Sequence, residues 1–296
     1  MEAAPAQAAG APSPAGAATC GSCPHACAVR EGSLGLCGAR GCREGRIVPV
    51  AYGRVTSMAI DPVEKKPLAR WRPGSLLLSV GGYGCNMRCA FCQNHEISQA
   101  GADDVAWREV APDELVAATL AAREDDPRVQ GIAYTYNEPL CCWEFVRDTA
   151  ELARSRGLAN VLVSNGCFAD EAIGAVAPLV DAANIDLKAF DEAAYRRLGG
   201  SLACVRETIR ALADEPGCHL EVTTLVVPGV SDSVGDVEEA AAWLASLDPS
   251  ITYHLTRFFP RWKMSDASPT PVDLLRRMQE AASRHLGDAR LGNVWL

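Results

Sequence analysis

Three cysteines stand close together in the run Gly81-Gly82-Tyr83-Gly84-Cys85-Asn86-Met87-Arg88-Cys89-Ala90-Phe91-Cys92-Gln93-Asn94. Thiols with three and two residues between them, on a glycine-rich loop, can converge on one iron–sulfur cluster. A [4Fe-4S] cluster has four irons, so three thiolates leave one iron with a free coordination position that a substrate can take. The competing reading is structural zinc, with His95 near enough in sequence to be a fourth ligand. Structural zinc, however, tends to use paired knuckles rather than a single triplet. A second group, Cys20, Cys23, Cys27 and Cys37, has gaps of two, three and nine residues. That set suffices for a tetrahedral zinc or a second iron–sulfur cluster, and Cys42 could replace one member. A segment so poor in bulky apolar residues needs a metal to hold its shape.

The chain carries thirteen cysteines in all, an odd and unevenly clustered set, which argues against a disulfide framework and for a reducing compartment. Cys141, Cys142, Cys204 and Cys218 read as buried small hydrophobes. Cys167 lies near a predicted strand end.

Around these thiols, apolar runs alternate with helical patterns. Strands are expected at Leu76 to Tyr83, Ile132 to Tyr136, Val161 to Ser164, Ala183 to Leu187, Leu220 to Val227 and Ile251 to Arg257. Between and after them, 112–123, 140–156, 170–179, 191–214, 234–247 and 272–285 place apolar residues at helical spacing. Near-continuous apolar strands alternating with helices predict an α/β fold with a parallel sheet. Six units, fewer than the eight of a full barrel, predict a partial (β/α)6 TIM-like barrel with its chemistry at the carboxyl ends of the strands. The cysteine loop follows the first strand, as that rule requires.

With 296 residues, 48% apolar, the chain makes one large domain or two modest ones. The expected division is a disordered Ala/Pro-rich leader at 1–19, a Cys-rich metal-binding module with connecting strands at 20–74, and the barrel at 75–296. Thirty-seven acidic against 28 basic residues give a net charge of -9. No basic run offers a surface for nucleic acid or an anionic bilayer. With no apolar stretch of membrane-spanning length and no basic start to a signal peptide, the chain reads as cytoplasmic.

Cys85-x3-Cys89-x2-Cys92, with Phe91 just before the third cysteine, resembles the signature of the radical S-adenosylmethionine (SAM) superfamily. The resemblance implies that the free iron chelates SAM, whose reductive cleavage gives a 5′-deoxyadenosyl radical that abstracts hydrogen. It further implies a low-potential electron donor of the flavodoxin or ferredoxin type. No catalytic residue beyond the cluster and the SAM site is implied.

The later strand ends carry the resemblance on. Tyr134-Thr135-Tyr136-Asn137-Glu138-Pro139 stands where the superfamily holds the methionine ammonium, which implies Glu138 and Asn137 as acceptors. Ser164-Asn165-Gly166 is similar to the Thr-Asn-Gly of pyruvate formate-lyase activating enzyme and its relatives, where such groups reach the ribose. Val163 replaces an Asp with which some of those relatives build a cation site. Asn184-Ile185-Asp186-Leu187-Lys188 resembles the activating enzymes' Asp-Leu-Lys. Alternation puts Asp186 and Lys188 on one face, and Lys188 suits the SAM carboxylate. Taken singly, each has a plainer reading: a helix-capping turn at Glu138, a local ion pair at Asp186 and Lys188. His254 and Arg257 are candidates for the substrate side.

Across nearly the whole chain after residue 19, Cys20-x2-Cys23-Pro24-His25-Ala26-Cys27, Asp61-Pro62-Val63-Glu64-Lys65-Lys66-Pro67-Leu68 and Cys92-Gln93-Asn94-His95-Glu96 resemble the AmmeMemoRadiSam system radical SAM enzyme. This implies Memo-like and AMMECR1-like partners and leaves the substrate open. Relatives of that family run beyond the Gly292-Asn293-Val294 segment into a tail with a further cysteine pair, which would be expected past Leu296. Two other readings stand beside this one: a glycyl-radical-enzyme activase, and a non-catalytic iron–sulfur or zinc protein.

Overall fold

The computed structural model describes residues 16–294. Eight strands form one sheet and lie side by side in chain order: β1 (Ser57–Pro62), β2 (Leu76–Gly81), β3 (Val129–Tyr134), β4 (Ala159–Ser164), β5 (Ala182–Asp186), β6 (His219–Val226), β7 (Thr252–Arg257) and β8 (Ala289–Gly292). β1 is antiparallel to β2 and every other neighbour is parallel. The helices α1 (Pro112–Asp125), α2 (Trp143–Ser155), α3 (Asp170–Val176), α4 (Glu192–Arg197), α5 (Leu202–Asp214), α6 (Val234–Leu247) and α7 (Val272–Ala282) connect the parallel strands from β3 to β8 and precede β3. β8 and β1 do not pair, so the sheet is an open, partial barrel.

Strand alternation sorts the side chains into two apolar groups. Leu78, Val80, Ile132, Leu162, Ile185, Val222 and Leu255 join the core beneath the helices. Their neighbours Leu77, Ala133, Val161 and Ala182 face the other way and pack with Val63, Leu68 and Trp71. The segment after β1 therefore plugs one end of the concave face with apolar side chains. The inward polar positions that reach an open cavity lie toward the strands' carboxyl ends.

The six expected strands are β2 to β7, with ends that coincide or differ by up to three residues. β8 is a seventh parallel strand that was not expected: it has four residues, all half-buried, and no apolar run to announce it. The pattern at 191–214, read as one helix, is two. Leu198-Gly199-Gly200-Ser201 breaks it, with Gly199 at φ +75 and the Ser201 hydroxyl capping α5 by accepting from Cys204 N. The 140–156 pattern starts as a 3-10 turn over Pro139–Cys142 before α2 takes over.

The expected leader boundary also moves. Ala17–Thr19 pairs antiparallel with Ala28–Arg30 and so belongs to the Cys-rich module; residues 1–15 lie outside the described ones. Gly41–Arg43 pairs with Arg46–Val48, which closes the module. Among the described residues no helix is long and apolar enough to cross a membrane.

Candidate active site

Cys85, Cys89 and Cys92 all line a cavity of about 270 Å³ at the carboxyl ends of the strands. The loop that carries them can approach so closely because of its glycines. A Cβ on Gly81 would stand 2.6 Å from the Thr135 carbonyl oxygen and 2.8 Å from the Tyr136 Cβ. Gly84 has φ +86, and a Cβ there would collide with the carbonyl oxygen of Cys37. The loop is therefore wedged between β3 and the N-terminal module.

The turn itself is pinned at several points. Arg88 donates from Nη1 to the Cys85 carbonyl (2.7 Å) and Met87 N–H points at Cys85 Sγ (3.3 Å). Asn86, 1% exposed, donates to the Cys167 carbonyl (2.7 Å) and accepts from Asn165 Nδ2 (2.8 Å). Burial pushes the Cys89 thiol up to about 11 and Cys85 higher still. Without an electrophile these sulfurs keep their protons, and a bound metal would have to displace them.

The seven residues expected to bind SAM also line this cavity: Phe91, Asn137, Glu138, Ser164, Asn165, Asp186 and Lys188. Glu138 is 3% exposed and accepts three hydrogen bonds, Oε1 from Leu140 N (3.1 Å) and Ser164 Oγ (2.8 Å), Oε2 from Asn165 N (2.8 Å). A carboxylate offers about four lone pairs, so one position on Oε2 stays free for an ammonium. Burial raises the Glu138 carboxyl to about 7, against the pull of those donors. Lys188 Nζ pairs with Asp186 Oδ2 at 2.9 Å. Burial would discharge Lys188, but Asp186 and the Cys89 sulfur beside it prevail and hold the ammonium charged far above the usual lysine range.

Three of the expected SAM contacts have their polar atoms committed within the protein. Asn137 accepts from Gly82 N (3.0 Å) and donates to the Tyr83 (3.0 Å) and Gly84 (3.1 Å) carbonyls, so its amide holds the cysteine loop. Asn165 donates to Asn86 and accepts from Cys167 N (2.8 Å), which braces the same loop from β4. Ser164 serves Glu138 and Gly166 N. These side chains position the site more than they face an occupant.

Two substrate-side candidates are corrected. His254 points inward but lies toward the amino ends of the strands, bonded to Glu221 Oε2 at 2.5 Å. Glu221, wholly buried, also accepts from His219 (2.9 Å) and from the Ala69 (2.9 Å) and Arg70 (2.8 Å) N–H groups. Burial would raise its carboxyl, and these donors instead hold it well below the ordinary range. Arg257 donates to the Thr270 carbonyl (2.8 Å) and covers the Phe259 ring. Thr256, two residues past His254 on the same face, reaches the cavity instead. His95, the alternative fourth ligand, does not line the cavity that holds the three cysteines; its ring stacks on Trp262 with centroids 5.1 Å apart.

Sequence reasoning missed Gln93, Ser98, Tyr136, Thr223 and Leu225 on the cavity wall. Alternation could have found Thr223 and Leu225, which share the parity of Glu221; nothing local marks Ser98, whose Oγ lies 3.1 Å from Cys92 Sγ.

Comparison with known proteins shows the family in which this cavity occurs. The model of the radical SAM superfamily matches residues 79–244, which include the end of β2, the cysteine loop and β3 to β6. The chain belongs to the radical SAM superfamily. It is 38% identical over 277 residues to an uncharacterized protein of Methanocaldococcus jannaschii, covering 93% of this chain and 81% of that one. A putative glycyl-radical enzyme activating enzyme of the same organism is 23% identical over 70% of this chain and 76% of its own length. The crystal structure of a radical SAM methyltransferase from Sphaerobacter thermophilus superposes with TM-score 0.54 at 17% identity, over 74% of this chain and 66% of that one, which concerns the fold alone.

Membership makes the chain a radical SAM enzyme, with a [4Fe-4S] cluster and SAM as its cofactors. The residues present fit both groups. Three cysteines share the wall, as thiolates that each take a different iron must, and among the described residues no three potential ligands converge on a single ion. The cavity also holds a carboxylate with a free lone pair, a charged lysine and the unpartnered buried hydroxyl of Thr223.

Proposed function

We propose that Cys85, Cys89 and Cys92 hold the cluster, that the remaining lone pair of Glu138 takes the SAM ammonium, and that Lys188, paired with Asp186, takes the SAM carboxylate. The chemistry supplied by the bound pair is the superfamily's: one-electron cleavage of SAM to a 5′-deoxyadenosyl radical that removes hydrogen from a substrate, here unidentified. The carrying observation is that the three sulfurs, Glu138 and Lys188 line one cavity at the strands' carboxyl ends. An ammonium against a carboxylate and a carboxylate against an ammonium fix the amino-acid end of SAM in one orientation. Phe91 closes the apolar wall beside the loop, and Asn137, Ser164 and Asn165 keep loop and carboxylate in register.

The finer reading is membership of the AmmeMemoRadiSam system, with Memo-like and AMMECR1-like proteins as partners, a flavodoxin or ferredoxin as electron donor, and a cytoplasmic setting. It rests on the Cys-rich and Asp61-to-Leu68 motifs together. It includes a second metal at Cys20, Cys23, Cys27 and Cys37, zinc or iron–sulfur. The three-part division into leader, module and barrel belongs to the same proposal. A glycyl-radical activase is the second reading, supported by the relative that carries that description. Anaerobic reconstitution with iron, sulfide and SAM, then reduction by dithionite, tests the core claim. The wild type should release 5′-deoxyadenosine and Cys89→Ala should not; a wild type with a fully loaded cluster and no product would overturn it.

A further inference from the structure

Behind the cysteine loop lies a second, much smaller cavity. Its wall includes the sulfurs of Cys20, Cys23, Cys27 and Cys37, and a fifth thiol from the barrel, Cys141. Arg40 also lines it. That side chain is 7% exposed, its Nη groups are held by Glu144 at 2.7 and 2.8 Å, and its buried Nε–H has no partner. Cys42, the sequence alternative, is absent from the wall; its thiol donates to Glu31 Oε2 at 3.6 Å.

The volume favours one of the two metals left open above. About 20 Å³ admits roughly one water-sized particle, whereas the first cavity is about 270 Å³. A single ion asks for less rearrangement of this wall than a four-iron cubane does. In this geometry the sulfurs do not yet converge on one point, so capture of an ion draws them in and orders the turns that carry them.

We propose that Cys20, Cys23, Cys27 and Cys37 bind a single thiophilic divalent ion, zinc by its chemistry, and that Cys141 and Arg40 brace this centre from outside the ligand set. The proposal rests on, and sharpens, the second-metal reading above. Four thiols lose their protons to water as the ion enters, giving a centre with net charge of about -2. Arg40, its charge shared with Glu144, offers that centre the unused Nε–H donor. Cys141 shares this wall with Cys37, and its S–H is within hydrogen-bonding reach of that ligand, as groups around structural metals are. Cys141 N–H is itself bonded to the Glu138 carbonyl at 3.3 Å, and Gly84 packs on the Cys37 carbonyl. The ion would therefore fix the backbone on both sides of the SAM site.

The test uses a Cys85→Ala/Cys89→Ala/Cys92→Ala chain, which cannot hold the radical cluster, so its result is independent of whether the wild type cleaves SAM. Purified anaerobically, it should contain about one zinc per chain and no acid-labile sulfide. Iron with matching sulfide, or no metal at all, would overturn the single-ion reading. In the same background Cys141→Ala should pass zinc to a chromophoric chelator about 10- to 100-fold faster, with Cys42→Ala unchanged. Equal rates for the Cys141→Ala chain and its parent would sink the bracing role, and circular dichroism of both keeps misfolding from being mistaken for it.

Discussion

Glu138 sets the pH behaviour of SAM binding. Its carboxyl is raised to about 7 by burial, and the anion accepts from an ammonium far more strongly than the neutral acid does. As pH falls through about 7 the acceptor is protonated, so the SAM dissociation constant should rise, by up to about tenfold per pH unit, in equilibrium dialysis of the reconstituted protein. A flat profile from pH 8 to 6 would contradict this. The sign for stability is opposite. Because the folded chain holds this proton more tightly than the unfolded one, the SAM-free protein loses stability as pH rises from about 4.3 to 7. Lys188 is the companion residue. Lys188→Ala should weaken SAM binding by about 10- to 100-fold, the worth of a hydrogen bond to a charged group, with iron content unchanged. Loss of iron along with SAM would instead make Lys188 a support for Cys89.

Among the elements, the cysteine loop depends on its neighbours more than on itself. Gly84→Ala puts a methyl into the Cys37 carbonyl at a φ of +86, and should lower stability by about 2 kcal/mol and reduce cluster loading, seen by thermal melting and iron assay. At the opposite end of the strands, Glu221→Ala would strand two histidines and two backbone donors. It should cost about 3 kcal/mol in chemical denaturation while leaving SAM affinity near wild type. Parity was legible in advance: Asp186 and Lys188 do share the cavity face. Depth along a strand was not. His254 and Thr256 have the same parity, yet only Thr256 reaches the mouth, because the plug formed by the segment after β1 takes up the other end and no periodicity reports it. The break at Gly199 and Gly200 was visible as residues but masked by two amphipathic stretches of similar pattern.

For the molecule as a whole, the alternation of apolar strands and helices was enough to name a partial parallel barrel. Local motifs were enough to place all ten predicted residues of the radical site around one cavity. What escaped was whatever depends on distant segments meeting. Cys141 read as a core residue on its own and proved to line the N-terminal thiol pocket 104 residues from Cys37 in sequence. The central claim is that three sulfurs of one loop hold a cluster whose fourth iron is left for SAM. Electron paramagnetic resonance of the dithionite-reduced, reconstituted protein, with and without SAM labelled with 17O in its carboxylate, tests it most directly. A reduced-cluster signal that shifts on adding SAM and broadens with the label is the expected result. A cluster signal indifferent to SAM, or none in protein fully loaded with iron and sulfide, would contradict the account.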